Sequence, residues 1–277
     1  MKYSNAAILT DLDGTLFNSQ GKVSADDRAS IQEFIDGGGL FGIASGREPH
    51  NARLHLPDLS LNGPSIVLNG AAVYDFAGHR YLNTILMDKE AAVDVLLHCQ
   101  EQDLPLDQQV YTTEGIFYAS PVEIANPEFL RVSQPFSFMP LQALKEKKWF
   151  KILFLEREPD ALAPMREYLA QKGYERRLSL VEGWTDVVKV GKYQELLPLG
   201  INKGTAVDSL RQLPVYEGRT IFAIGDYWND REMLCAADVP CAPENAINEI
   251  KEVCRYILPS HNDSAIAYLI RKVIPTV

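Results

Sequence analysis

Cysteine is scarce in this chain, and its few copies are scattered. Cys99, Cys235, Cys241 and Cys254 form no CxxC pair and do not cluster with histidine. The spacing therefore offers neither a disulfide framework nor a thiolate metal site, and buried reduced thiols in a cytoplasmic protein are the expectation. The five histidines, His50, His55, His79, His98 and His261, make no HxxxH or similar pair, which disfavours zinc. Positive charge is also in deficit: 27 Lys and Arg against 37 Asp and Glu leave a net charge of -10. Such a field repels phosphate backbones and anionic lipid, so neither nucleic acid nor membrane is an expected partner. No apolar run approaches the roughly 18 residues of a membrane span. The neutral run before Asp11 is too short for a signal-peptide core, which again points to the cytoplasm. Repeats, low-complexity tracts and obvious linkers are absent too.

What is present suits a folded enzyme-sized chain: 277 residues, 46% hydrophobic and 23% charged, enough for one large domain or two ordinary ones. Ala6 to Leu9 reads as a strand buried on both faces. Ser24 with Asp27 starts a helix whose stripe is Ile31, Phe34 and Ile35, and Gly37 to Gly39 stop it. A strand at Leu40 to Ala44, a helix after Ser45 and a third buried run at Ser65 to Leu68 continue a rhythm that predicts a parallel sheet with crossover helices. From about Leu82 the pattern changes. A helix from Asp88 carries Ala91, Ala92, Val95, Leu96 and Cys99 on one face. Alternating stretches near 110–119 and 150–155, a helix over 160–172 stopped by Gly173, and strand-like sequence over 178–197 predict an α+β unit with an antiparallel sheet. After Lys203 the parallel rhythm returns, with a strand at Thr220 to Ile224, a helix from Asp230 and amphipathic stretches at 246–254 and 265–273. The predicted fold is a Rossmann-like α/β core, residues 1–83 and 197–277, interrupted by an inserted α+β cap, residues 84–196.

Ligands of an open parallel sheet collect beyond the carboxyl ends of its strands. After the first strand stands Asp11-Leu12-Asp13-Gly14-Thr15, after the second Ser45-Gly46-Arg47, and after the later one Gly225-Asp226-Tyr227-Trp228-Asn229-Asp230. Lys203 opens the helix that leads out of the insert. Gathered together, Asp11, Asp13, Asp226 and Asp230 would repel by about 4 kcal/mol per pair at 4 Å and an effective dielectric of 20. A cation is needed to keep them ionised, and an all-oxygen set favours Mg²⁺. Opposite Lys203, a Ser hydroxyl and Gly amides, such a site can hold a phosphoryl group. Asp11 would attack phosphorus to give an aspartyl-phosphate, and Asp13 would protonate the leaving alkoxide and later deprotonate water.

Each group alone has a blander reading: a solvated turn for the Asp pair, a helix cap for Ser45-Gly46, a surface charge for Lys203. Arg47 fits either substrate contact or a structural salt bridge. Gly37 to Gly42 matches GxGxxG but follows a helix and precedes a strand, the reverse of a dinucleotide site. The Lys145 to Lys151 stretch, broken by Glu146, reads as a solvated helix face running into a strand. Tyr111, Phe117, Tyr118 and Trp184 of the cap are core by default, with one or two able to reach the site.

The motifs DLDGTL at 11–16, ASGR at 44–47, NKG at 202–204 and GDYWND at 225–230, in that order, resemble the four motifs of the haloacid dehalogenase superfamily. The long insert, with Asn69-Gly70-Ala71 before it, resembles the class IIB cap of its Cof-type phosphatases. The resemblance implies that Mg²⁺ is held by the Asp11 side chain, the Asp13 backbone carbonyl and Asp226, with Asp230 an alternate ligand or one position further out. It also implies phosphate contacts from Ser45, Gly46, Lys203, Asn229 and the Leu12 amide, with the cap closing over a small phosphorylated metabolite such as a sugar phosphate. Two stretches depart from it. Ala242-Pro243-Glu244 stands before Asn245-Ala246 where Met-Gly is usual, and Asp263-Ser264 stands where an acid is often followed by Gly. Competing readings are a phosphomutase or phosphotransferase using the same aspartyl-phosphate, and a non-catalytic phospho-accepting module.

Overall fold

The structure, a computed structural model, describes residues 2–120, Pro127, 136–184 and 191–277. It divides into two compact units, Met1–Thr84 with Asn202–Val277, and Ile85–Ile201.

The first unit is built on five parallel strands in the order β14-β13-β12-β1-β2, where β1 is Ala6–Thr10, β2 Leu40–Ile43, β12 Thr220–Ile224, β13 Val239–Pro243 and β14 Tyr256–Leu258. Every residue of β1 and β2 is buried, as continuous apolar runs in a doubly covered parallel sheet require. Helix α1, Ala25–Asp36, begins where expected: the Ser24 side chain accepts the Asp27 N–H, and Ile31 and Phe34 face inward. Helix α2 starts later than the sequence suggested. It spans Pro49–His55, with Glu48 as its cap and Pro49 in the first turn, so Ser45-Gly46 lies in the loop before the helix, where the Ser45 N–H donates to the Ile66 carbonyl at 3.0 Å.

The third buried run departs further from the expectation. Residues Ser65–Val67 form β3, which keeps one parallel bridge to the chain after β2, Ala44 to Ile66, but otherwise pairs antiparallel with β4 (Ala72–Asp75), itself antiparallel to β5 (Arg80–Thr84), in a three-stranded sheet. The cause is local. Leu68, Asn69 and Gly70 all carry positive φ, 55°, 53° and 101°, and reverse the chain before a crossover helix can form.

The second unit holds a six-stranded sheet in the order β10-β11-β9-β6-β7-β8, with β6 Leu106–Thr112, β7 Gly115–Tyr118, β8 Phe136–Phe138, β9 Trp149–Glu156, β10 Leu178–Trp184 and β11 Lys192–Pro198. Its pairings are antiparallel as predicted, except that β8 runs parallel to β7. Helix α3, Lys89–Glu101, capped by Asp88, buries Ala91, Val95, Leu96 and Cys99 against Leu106, Val110, Ile152 and Phe154 of the sheet. The helix Leu162–Lys172 adds Met165 and Leu169 and ends at Gly173 in the left-handed conformation.

The lysine-rich stretch differs from its expectation. The only helix there among the described residues is Leu141–Leu144. Lys147 pairs with Glu114, and Lys151 is buried in β9. Phe117 belongs to the helix-facing core, Tyr118 packs with Leu153 and Leu155, and the Tyr111 ring lies 4.4 Å from the Lys151 ammonium. The side chain of Trp184 lies outside the described residues.

Candidate active site

β1 and β12 are neighbours with Thr10 opposite Ile224, so the loops after them emerge side by side. The first loop is coiled tightly. Thr15 N–H donates to Leu12 O at 3.4 Å, Leu16 N–H to Asp11 O at 3.3 Å and Phe17 N–H to Leu12 O at 2.8 Å. Gly14 permits the turn at φ +77°. A Cβ there would also lie 2.4 Å from Asp226 Oδ2, so only glycine lets the two loops approach this closely.

Asp11, Asp226 and Asp230 each offer a carboxylate oxygen within 4.8 Å of the others. Lys203 Nζ donates to Asp11 Oδ1 and to Asp230 Oδ1, both at 2.6 Å, with the lysine and Asp230 side chains fully buried. The lysine arrives there as the first residue of the helix Lys203–Arg211, capped by Asn202 through a reciprocal pair with Thr205. The other oxygen of Asp230 accepts the N–H groups of Asp226 (3.0 Å) and Tyr227 (3.2 Å), so this carboxylate is spent on holding its own loop. Thr15 Oγ1 donates to Asp226 Oδ1 at 2.7 Å.

Burial pushes the Asp11 carboxyl well above the ordinary carboxylate range; the Lys203 charge opposes that and the neighbouring carboxylates add to it. Burial likewise raises Asp226 to about 6, against the Thr15 hydrogen bond. Burial alone would lower Lys203, but Asp11 and Asp230 outweigh it and the ammonium is held firmly protonated. Three carboxylates and one ammonium leave the cluster anionic. Its donors are all oxygen, with no nitrogen or sulfur among them. That set fits a hard divalent cation such as Mg²⁺.

One expected member stands apart. Asp13 does not crowd in with the other three acids: its side chain is 65% exposed and is clamped by Arg47, whose Nη2 donates to Oδ1 and Oδ2 at 3.0 Å and whose Nε donates to Oδ2 at 3.2 Å. Arg47 is in turn held by Asn51 Oδ1 at 2.9 Å. The fork outcompetes the cluster because it neutralises Asp13 with paired hydrogen bonds, where the cluster would repel it. Of the two readings open for Arg47, the ion pair is the one formed here.

Ser45 is buried at the end of β2, its Oγ accepting the Arg47 N–H at 3.2 Å, and Gly46 lies against the Asn69 amide. Leu12 is buried, and Asn229 is half-buried in the tight turn Trp228–Asp230. Sequence reasoning assigned no role to Thr15, Asn51 or Asn245, whose Nδ2 donates to Gly14 O at 2.8 Å. Thr15 lay inside the quoted motif, but nothing in linear order pairs it with Asp226.

The sequence matches the haloacid dehalogenase-like hydrolase family over residues 8–270. Among curated proteins it is 27% identical to the 5-amino-6-(5-phospho-D-ribitylamino)uracil phosphatase YwtE of Bacillus subtilis, covering 96% of this chain and 97% of that one. A haloacid dehalogenase-like hydrolase from Bacteroides thetaiotaomicron superposes with a TM-score of 0.80 at 21% identity, over 99% of this chain and 100% of that one. The subclass IIB sugar phosphatase BT4131 superposes at 0.73 with 16% identity, over 96% and 98%. Fold, family match and curated relative agree, and the chain belongs to the haloacid dehalogenase-like hydrolases as a Cof-type phosphatase.

Proposed function

We propose that this protein hydrolyses phosphate monoesters of small metabolites, through an aspartyl-phosphate on Asp11 and with Mg²⁺ as its metal. The observation that carries the reading is the buried Lys203 ammonium 2.6 Å from both Asp11 and Asp230, with Asp226 beside them. A lysine fixed there neutralises part of the carboxylate field that an arriving phosphate dianion meets, and it aligns one Asp11 oxygen while leaving the other for attack.

In the first step an Asp11 oxygen forms a bond to phosphorus as the ester P–O bond breaks, and Asp13 delivers a proton to the departing alkoxide. In the second, Asp13 takes a proton from water, whose oxygen attacks phosphorus and releases phosphate from Asp11. Arg47 keeps the Asp13 side chain in one orientation between the two transfers, while Ser45, Gly46, Asn229 and the Leu12 amide contact the phosphoryl oxygens. Asp11, Asp226 and the Asp13 carbonyl are the groups that would hold Mg²⁺, which when bound supplies charge to the phosphoryl oxygens.

The net charge of -10 suits a small substrate over a polyanion. The ribityl phosphate named for the B. subtilis relative and the sugar phosphatase among the structural neighbours support a polyol or sugar phosphate class. Hydrolysis of p-nitrophenyl phosphate tests the reading. Turnover with Mg²⁺, loss with EDTA, at least a thousandfold loss in Asp11→Asn and stoichiometric phosphate release are expected. Wild-type turnover in Asp11→Asn would sink the nucleophile assignment.

A further inference from the structure

We propose that the segment Asn245–Ile247, just after β13, is a brace that sets the spacing of the two acid-bearing loops, and that Asn245 and His261 are positioning residues for Asp13 and Asp226. The inference rests on the roles given to those two acids above. It stands on a chain of hydrogen bonds. Asn245 Nδ2 donates to the Gly14 carbonyl at 2.8 Å, one residue beyond Asp13. Two residues later, the Ile247 N–H donates to the Asp226 carbonyl at 3.2 Å. A single short segment therefore grips both loops.

The grip matters because of how the loops meet. Gly14 and Asp226 touch with no side chain between them, since a Cβ on Gly14 would fall 2.4 Å from Asp226 Oδ2. Inside that contact the Thr15 hydroxyl ties the loops together at Asp226 Oδ1, 2.7 Å away, and the Asn245 segment adds a second grip from outside. Asn245 is itself fixed: its Oδ1 accepts the His261 N–H at 2.9 Å, so each side of the amide has a complementary partner and its orientation is settled by chemistry.

His261 returns to the first loop a second time. Its Nδ1 lies 2.9 Å from the Phe17 carbonyl, which only accepts, so Nδ1 carries the proton. Next to it, Asn262 Oδ1 accepts both the N–H and the hydroxyl of Ser19 at 2.9 Å. Ser264 holds a left-handed φ of 58°, a conformation glycine adopts without strain, and its hydroxyl meets that of Ser24 at 2.9 Å. The side chain that costs strain there is used to tie the C-terminal segment to the start of α1.

The test uses the full-length protein with p-nitrophenyl phosphate and Mg²⁺, alongside amide hydrogen exchange of metal-free protein. In Asn245→Ala, exchange across residues 12–19 is expected to quicken at least threefold while β12 is unchanged, and kcat to fall about tenfold with KM within twofold. His261→Ala should do the same about fivefold, and His261→Asn, whose amide can still donate to Phe17 O, should recover to within twofold of wild type. Unchanged exchange over 12–19, or unchanged kcat beside quickened exchange, overturns the brace. Asp13→Asn separates the two layers: wild-type turnover there would overturn the acid–base reading itself, whatever the exchange data show.

Discussion

Each unit of this protein buries a lysine, and the two are used in opposite ways. In the insert, Lys151 pairs with Glu195 between neighbouring strands β9 and β11, under the ring of Tyr111; the pair itself is neutral. In the first unit, Lys203 meets Asp11 and Asp230 with Asp226 close by, so one ammonium serves a group of three acids. An ion pair of one acid and one base balances its own charge. An unmatched cluster holds a standing electrostatic debt that a cation relieves, and this imbalance separates a site from a strut.

The largest effect should come from removing the outnumbered lysine. Lys203→Met strands Asp11 and Asp230 in a buried pocket, and we expect about a thousandfold loss in kcat together with roughly 3–5 kcal/mol of stability, read from turnover and urea unfolding. Activity within tenfold of wild type would remove the distinction between the two lysines.

The matched pair should respond to stability assays and hardly to kinetic ones. Lys151→Met takes the ammonium away from the buried Glu195 carboxylate, which costs about 3–5 kcal/mol, whereas Lys151→Met with Glu195→Leu should return stability to within about 1 kcal/mol of wild type or exceed it. Turnover of folded double variant within threefold of wild type is the expected readout; a large kinetic loss would give the insert's pair a chemical role.

The smallest effect concerns pH. Burial raises Asp226 to about 6 and Asp11 well above its ordinary value, so the native metal-free protein binds these protons more tightly than the unfolded chain does. The Asp226 contribution to stability is complete below about pH 4 and is lost as pH rises through about 6, roughly 3 kcal/mol for a two-unit shift, and Asp11 acts with the same sign. Asp88 in the insert has the reverse sign. Hydrogen bonds from Arg177 lower it, so its contribution is present above about pH 4 and disappears as pH falls through its folded value. Urea midpoints of EDTA-treated protein should therefore drop between pH 5 and 8, and saturating Mg²⁺ should flatten that slope; equal slopes with and without metal would contradict the imbalance.

Much of this was legible beforehand, for identifiable reasons. β1, α1, α3 and the helix after Lys203 carry caps and apolar periodicities that leave one reading each, and the acids sit at strand ends where a parallel sheet gathers ligands. The reversal at Leu68 to Gly70 was not legible, because two of its three left-handed residues are not glycine. Nor was the parallel seat of β8, a long-range pairing without a local signal. Asp13 was misplaced for another reason: repulsion and a divalent ion were weighed, but the rival fork of Arg47, held by Asn51, depends on where α2 begins.

The route of the chain through the parallel sheet has a consequence for synthesis. β1 is laid down first yet sits in the middle of its sheet, between β2 and β12. Asp11, which follows it, meets its lysine partner from 192 positions downstream. At about 5–20 residues per second, a ribosome needs on the order of 10–40 s to supply that partner. Until then Asp11 has no counterion from this source. The order of translation thus sets when this acidic group first meets its positive partner.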